Sequence, residues 1–148
     1  MKITICGSTA FINEMEKVSN ELTTLGHEVK FPPMMKFDEH NNPIPTAEYY
    51  KYKKEAAGKP DHWIWKRHDE PIRDHFEKVA WSDAVLILNY DKNNIANYVG
   101  PNTLMEMGLA FFLKKPIYLL NPIPDVAWFE EITGMHPIVI DGNLENIK

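Results

Sequence analysis

Only one cysteine, Cys6, stands among the 148 residues, so no internal disulfide can form, and a reducing, cytoplasmic setting is the expectation. No apolar stretch approaches the roughly 20 residues of a membrane span, which argues against a membrane partner. The apolar run at residues 2–6 is too short for a secretory signal and passes straight into Gly7. Excess basic charge is missing too. Lys and Arg number 16 against 21 Asp and Glu, a net charge of −5, so nucleic acid is not an expected partner. A basic run at Lys51, Lys53 and Lys54 remains, able to meet one phosphate or simply to form a solvated helix face. The histidines at 27, 40, 62, 68, 75 and 136 form no compact ligand pattern, and no HExxH or CxxC accompanies them. No metal and no cofactor are therefore expected. A GxSxG elbow, internal repeats and low-complexity tracts are absent as well.

What is present reads as an ordinary globular chain. Hydrophobic residues make up 44% and charged residues 25%, and the length suits one domain over residues 1–148. Residues 2–6 (KITIC) form a β-branched run ended by Gly7-Ser8-Thr9, a buried strand followed by a tight turn. Phe11, Met15, Val18, Leu22 and Leu25 then fall on one helical stripe, closed by Gly26. A second strand at residues 27–31 stops at Pro32-Pro33. The later chain repeats the alternation. Helices are expected at 72–81, 101–113 and 126–133, and strands at 83–89, 116–120 and 137–140, with a last helical turn in the tail. Within DAVLILN the residues between Asp83 and Asn89 are apolar without a break, as in a strand covered on both faces. Residues 32–70 break the pattern with prolines, charges, Trp63 and Trp65, and read as an irregular insertion that borders the site, with a short polar helix possible at 47–57. Five strands alternating with helices predict an α/β, doubly wound parallel sheet of the flavodoxin or Rossmann-like kind, in spatial order 2-1-3-4-5.

Ligands of such sheets bind beyond the carboxyl ends of the strands, where the order reverses. That rule collects Gly7, Ser8 and Thr9 after the first strand, Asn89 and Tyr90 after the third, and Asn121 after the fourth. Gly100 and Asn102, at the start of the helix that opens with Pro101, face the same crevice. Glycine lets backbone approach a ligand, and hydroxyls with free N–H groups can cradle a phosphate or sugar hydroxyl. Glu106 is the notable residue, because no other charge occurs between positions 101 and 113. A carboxylate in an apolar helix costs several kcal/mol unless it is paired or put to use. The plain alternative is an acid near a helix start, stabilised by the helix dipole.

The segment Asn102-Thr103-Leu104-Met105-Glu106-Met107-Gly108-Leu109-Ala110, after a strand entered through Ser82-Asp83-Ala84-Val85-Leu86, resembles the nucleoside 2-deoxyribosyltransferase superfamily. That superfamily includes the deoxynucleoside 5′-monophosphate N-glycosidases. The resemblance extends over most of the chain, from KITICGS to KKPIYLL. It implies cleavage or transfer at the N-glycosidic bond of a nucleoside or nucleoside monophosphate, with Glu106 as nucleophile. Gly7 and Ser8 would border the sugar or phosphate, and Asp74, with His75 beside it, would contact the base. Tyr98 would orient Glu106 or the sugar, and Trp63, Trp65 or Tyr90 could stack on the base. Association into a homodimer or higher homo-oligomer is a further implication. Where the transferases carry Asp-x-Gly-Thr, this chain has Gly100-Pro101-Asn102-Thr103. Two other readings stand beside the enzyme: a non-catalytic module for nucleotides or nucleotide sugars, and an interaction protein docking through its Trp-containing insertion.

Overall fold

The computed structural model describes residues 1–148. Its first strand, β1 (Lys2–Gly7), is buried from Ile3 to Cys6. Helix α1 (Ile12–Thr24) turns Met15, Val18 and Leu22 of the expected stripe inward together with Ile12, whereas Phe11 belongs to a short 3-10 turn at Thr9–Phe11 that leads into it and Leu25 lies past its end, exposed. Strand β2 (Glu28–Lys30) then pairs with β1 in parallel. After the insertion come α3 (Asp69–Trp81), β5 (Ala84–Leu88), α4 (Pro101–Phe112), β6 (Ile117–Leu119), α5 (Phe129–Gly134) and β7 (Ile138–Val139).

The main sheet is parallel throughout, in the order β2-β1-β5-β6-β7. Counting its five strands along the chain, this is the 2-1-3-4-5 order predicted from right-handed crossovers. All five residues of β5 are buried, because both faces of the sheet are covered. Alternation along β5 sends Ala84, Leu86 and Leu88 to the α1 face and Val85 and Ile87 to the face covered by α3 and α4. Each face has its own apolar layer, the first with Ile3, Ile5 and Met15, the second with Val79, Met107 and Leu119.

The insertion is more regular than its composition predicts. Strand β3 (Met35–Phe37) pairs antiparallel with β4 (Pro43–Pro45), and α2 (Thr46–Glu55) follows at once. Three-residue strands are too short to show an alternating pattern, and prolines hid the second, although a two-stranded edge accepts them. Tyr49, Ala56 and Ile64 bury one another as a small separate core. The indole N–H of Trp65 ties this unit together by donating to the carbonyls of Lys59 at 2.9 Å and Ala56 at 3.3 Å. The insertion thus stands as a small built wall over the carboxyl edge of the sheet.

Candidate active site

The chain leaves β1 through Gly7, whose φ of +153° suits glycine. A Cβ there would lie 3.0 Å from the Leu88 carbonyl oxygen and 3.1 Å from the Met15 side chain, so the close approach of β1 to β5 needs its absence. Ser8 follows with extended backbone and caps the 3-10 turn, its Oγ accepting from Ala10 N at 3.3 Å and from Lys92 Nζ at 2.7 Å. On the far side of the crevice, Pro101 takes the first turn of α4, where its missing N–H costs nothing. Gly100 before it lies against the Tyr98 ring, which a Cβ would meet at 3.0 Å. These elements and the insertion enclose a cavity of about 430 Å³, within the range of small-molecule sites.

Of the residues that the switch-point rule selects, Gly7, Ser8, Thr9, Gly100 and Asn102 line that cavity, and Tyr98 lines it too. Asp74, His75 and Glu106 line it as well. Asn89 and Asn121 do not. Asn89 is fully buried and clasps the ends of β5 and β6. Its amide donates to the carbonyls of Asn121 and Pro122 at 3.0 Å each and accepts from Asn121 N at 2.9 Å. The Asn121 amide returns a bond to the Asn89 carbonyl at 3.1 Å. Each side chain is engaged with the other's backbone, so the expected substrate contact at these two positions is replaced by a structural one. Tyr90 is off the wall too, stacked edge-on against Phe11 with ring centroids 5.2 Å apart. Of the two insertion tryptophans, Trp65 lines the cavity, whereas Trp63 packs edge-on against Tyr49 and Tyr52.

The centre of the site is Glu106. Its side chain is 12% exposed, and it meets His75 of α3, 7% exposed, with Oε2 3.7 Å from Nε2. Nε2 of His75 also lies 3.4 Å from Sγ of the buried Cys6 at the end of β1. Neither Oε2 of Glu106 nor Nδ1 of His75 has a hydrogen-bond partner, although both are shut off from solvent. Burial pushes the Glu106 carboxyl up to about 8, against the opposing pull of the Cys6 thiol and of the Lys36 and Lys53 ammoniums. Burial likewise pushes the His75 imidazole down to about 4, with the Lys78 charge adding to the effect. Burial, then the neighbouring Glu106, raises the Cys6 thiol well above its ordinary range, so it is an inert SH group. One proton therefore serves the carboxyl–imidazole pair. With the proton on Glu106 the pair is neutral, and its loss leaves a carboxylate in the cavity wall. Cys6, His75 and Glu106 also bring one donor atom each within 4.8 Å of one another, a set of the chemical kind that zinc takes. Their positions along the chain are too scattered for spacing to reveal it.

Asp74, expected at the base, is turned along its own helix, with Oδ2 2.6 Å from Lys78 Nζ. It reaches the cavity wall as an ion-paired acceptor. The residues that sequence reasoning missed are cationic: Lys36 from β3 and Lys92 from the loop after β5 join Lys53 and Lys54 of α2 around the cavity. Only the α2 lysines carried a signal, as part of a basic run, and nothing in the sequence aimed them at the sheet edge.

No protein-family model matches the chain, and no curated protein does. Two solved structures resemble it. One is a 2-deoxyribosyltransferase from the psychrotolerant bacterium Bacillus psychrosaccharolyticus, 19% identical, with 80% of this chain and 71% of the other covered and a TM-score of 0.48. The other is the Clostridium botulinum CMP N-glycosidase BcmB, 15% identical, with 95% and 90% covered and a TM-score of 0.49.

Proposed function

We propose that the protein cleaves or transfers the N-glycosidic bond of a nucleoside or nucleoside monophosphate, with Glu106 as the nucleophile. The observation that carries the reading is a buried carboxyl oxygen with no partner, on the wall of a cavity at the carboxyl edge of a parallel sheet. A group kept in that costly state has a use there. The resemblance of the surrounding segment to the superfamily motif supports the same chemistry.

A C–N glycosidic bond breaks through an oxocarbenium-like state, and a carboxylate beneath the anomeric carbon stabilises it or bonds to it. In this site Glu106 first loses its proton to water in the cavity, because burial makes His75 the weaker base. The carboxylate then attacks the anomeric carbon, the C–N electron pair leaves with the base, which takes up a proton from water, and water or an acceptor nucleoside resolves the glycosyl ester and gives up its own proton. Burial that disfavours the free anion also makes it reactive toward a developing positive charge. Asp74, paired with Lys78, can accept a hydrogen bond from an N–H of the base. Tyr98 and Trp65 offer flat faces for the sugar and base.

The test is chromatography of free base after incubation with a panel of nucleosides and nucleoside monophosphates. We expect base release by the wild type and a loss on the order of a thousandfold or more in Glu106→Gln, with an unchanged circular dichroism spectrum. No base from any substrate, or equal release by the variant, overturns the reading. Thermal stabilisation by nucleotides without turnover would instead mark a binding module. The missing aspartate of the Asp-x-Gly-Thr pattern is the observation on that side.

A further inference from the structure

We infer that the substrate carries a phosphate and that Lys36, Lys53 and Lys92 hold it beside Ser8, making the site one for nucleoside monophosphates rather than free nucleosides. The inference rests on the proposed glycosyl chemistry for the nucleoside part and on the charge arrangement for the phosphate. Lys36, Lys53, Lys54 and Lys92 all border the one cavity. The chain as a whole is acidic, at −5, so this is a local concentration of the minority sign. None of the four stands in an ion pair, since the pairs present are His40–Glu39, Arg67–Glu70, Arg73–Asp69, His75–Glu106 and Lys78–Asp74.

Aromatic faces take the place of carboxylates. Lys92 Nζ lies 5.1 Å from the Tyr50 ring centroid and 5.6 Å from that of Tyr98. Lys54 Nζ is 5.3 Å from Tyr50, and Lys36 Nζ is 4.8 Å from Tyr49. A ring face steadies an ammonium but leaves most of its N–H donors free. The crowding is unfavourable in the absence of an anion. Burial, then the Lys53 and Lys78 charges, push Lys36 down to about 8, and burial, then Lys92, push Lys53 down. The acids on the cavity wall answer this charge only in part, and with them counted Lys36 and Lys53 still lie below their ordinary values. Asp74 is taken by Lys78 at 2.6 Å, and Glu106 is a single carboxyl that burial holds protonated.

A dianion with three acceptor oxygens meets several point-charge lysines at once, which a single carboxylate does not. Placement agrees with a phosphate on the sugar. Lys92 already donates to Ser8 Oγ at 2.7 Å, in the turn after β1 where N–H groups and hydroxyls gather. Lys36 and Lys53 line the same cavity of about 430 Å³ as Glu106, so one small ligand can meet both the lysines and the carboxyl.

The experiment is calorimetric binding to the full chain of 2-deoxyribose 5-phosphate and ribose 5-phosphate against the same sugars unphosphorylated, repeated for Lys53→Gln and Lys92→Gln. We expect a sugar phosphate to bind at least tenfold more tightly than its sugar, and each variant to lose on the order of tenfold of that affinity at an unchanged melting temperature. Lys36→Gln serves as the second variant should either of the others melt early. Equal binding of sugar and sugar phosphate, or folded variants that bind the phosphate like the wild type, overturns the assignment. Binding needs no turnover, so the two proposals fail separately. Phosphate-selective binding without base release sinks only the glycosyl chemistry, whereas equal kcat/KM for nucleosides and their monophosphates sinks only the phosphate site.

Discussion

Glu106 holds its proton because its surroundings penalise the anion, and that makes it a contributor to stability that depends on pH. Its folded value of about 8 lies above the ordinary carboxyl value of 4.5. The folded state therefore binds the proton more tightly, and the contribution is complete below about 4.5 and lost as pH rises through about 8. Glutamine mimics the neutral acid and does not titrate. Denaturant melts should thus show the wild type losing stability relative to Glu106→Gln between those two pH values, and a constant difference would show that Glu106 is ionised in the fold. Asn89 and Asn121 illustrate the limit of reading single residues. Both stand at the strand ends that the switch-point rule selects, yet one amide can either clasp its neighbour or face a ligand. Only the four-bond clasp tells which.

At the scale of elements, the entry to α4 decides where Glu106 points, and a distant tryptophan secures it. Trp128 Nε1 donates to the carbonyl of the buried Val99 at 3.0 Å, between Tyr98 and Gly100 of the cavity wall. Trp128→Phe removes that donor and leaves the carbonyl short of a partner, a cost of about 1–3 kcal/mol in urea unfolding. Because the freed loop carries Tyr98 and Gly100, KM should rise together with the loss of stability. A stability loss with KM unchanged would separate the loop from the site. The main helices and strands were legible because each carries its own period: 3.6 in α1, and an unbroken apolar run in β5. The hairpin of β3 and β4 was not, since its strands are three residues long and its order comes from packing of Tyr49, Ala56 and Ile64.

For the whole molecule, α4 presents Met105 at 45% and Phe112 at 79% exposure on one helical face, with Phe111 at 52% beside them. We propose that this face supports the self-association that the superfamily resemblance implies. Light scattering after gel filtration should give a dimer or larger species that Phe112→Lys shifts toward the monomer. A wild type that is monomeric at every concentration would remove the proposal. Since α4 also carries Glu106, copies meeting there would lie close to the site.

The sequence by itself determined the sheet, its strand order and the edge on which chemistry belongs, because hydrophobic period and crossover handedness are local properties that add up to a topology. It also singled out Glu106, since an isolated charge in an apolar helix is visible in one dimension. Only the tertiary structure decided what surrounds that charge. Cys6, His75 and Glu106 come from β1, α3 and α4, and the four lysines come from β3, α2 and the loop after β5. Burial, which sets the proton on Glu106, and convergence of like charge, which calls for an anion, are relations between residues far apart in the chain, and they come into being only when the chain folds.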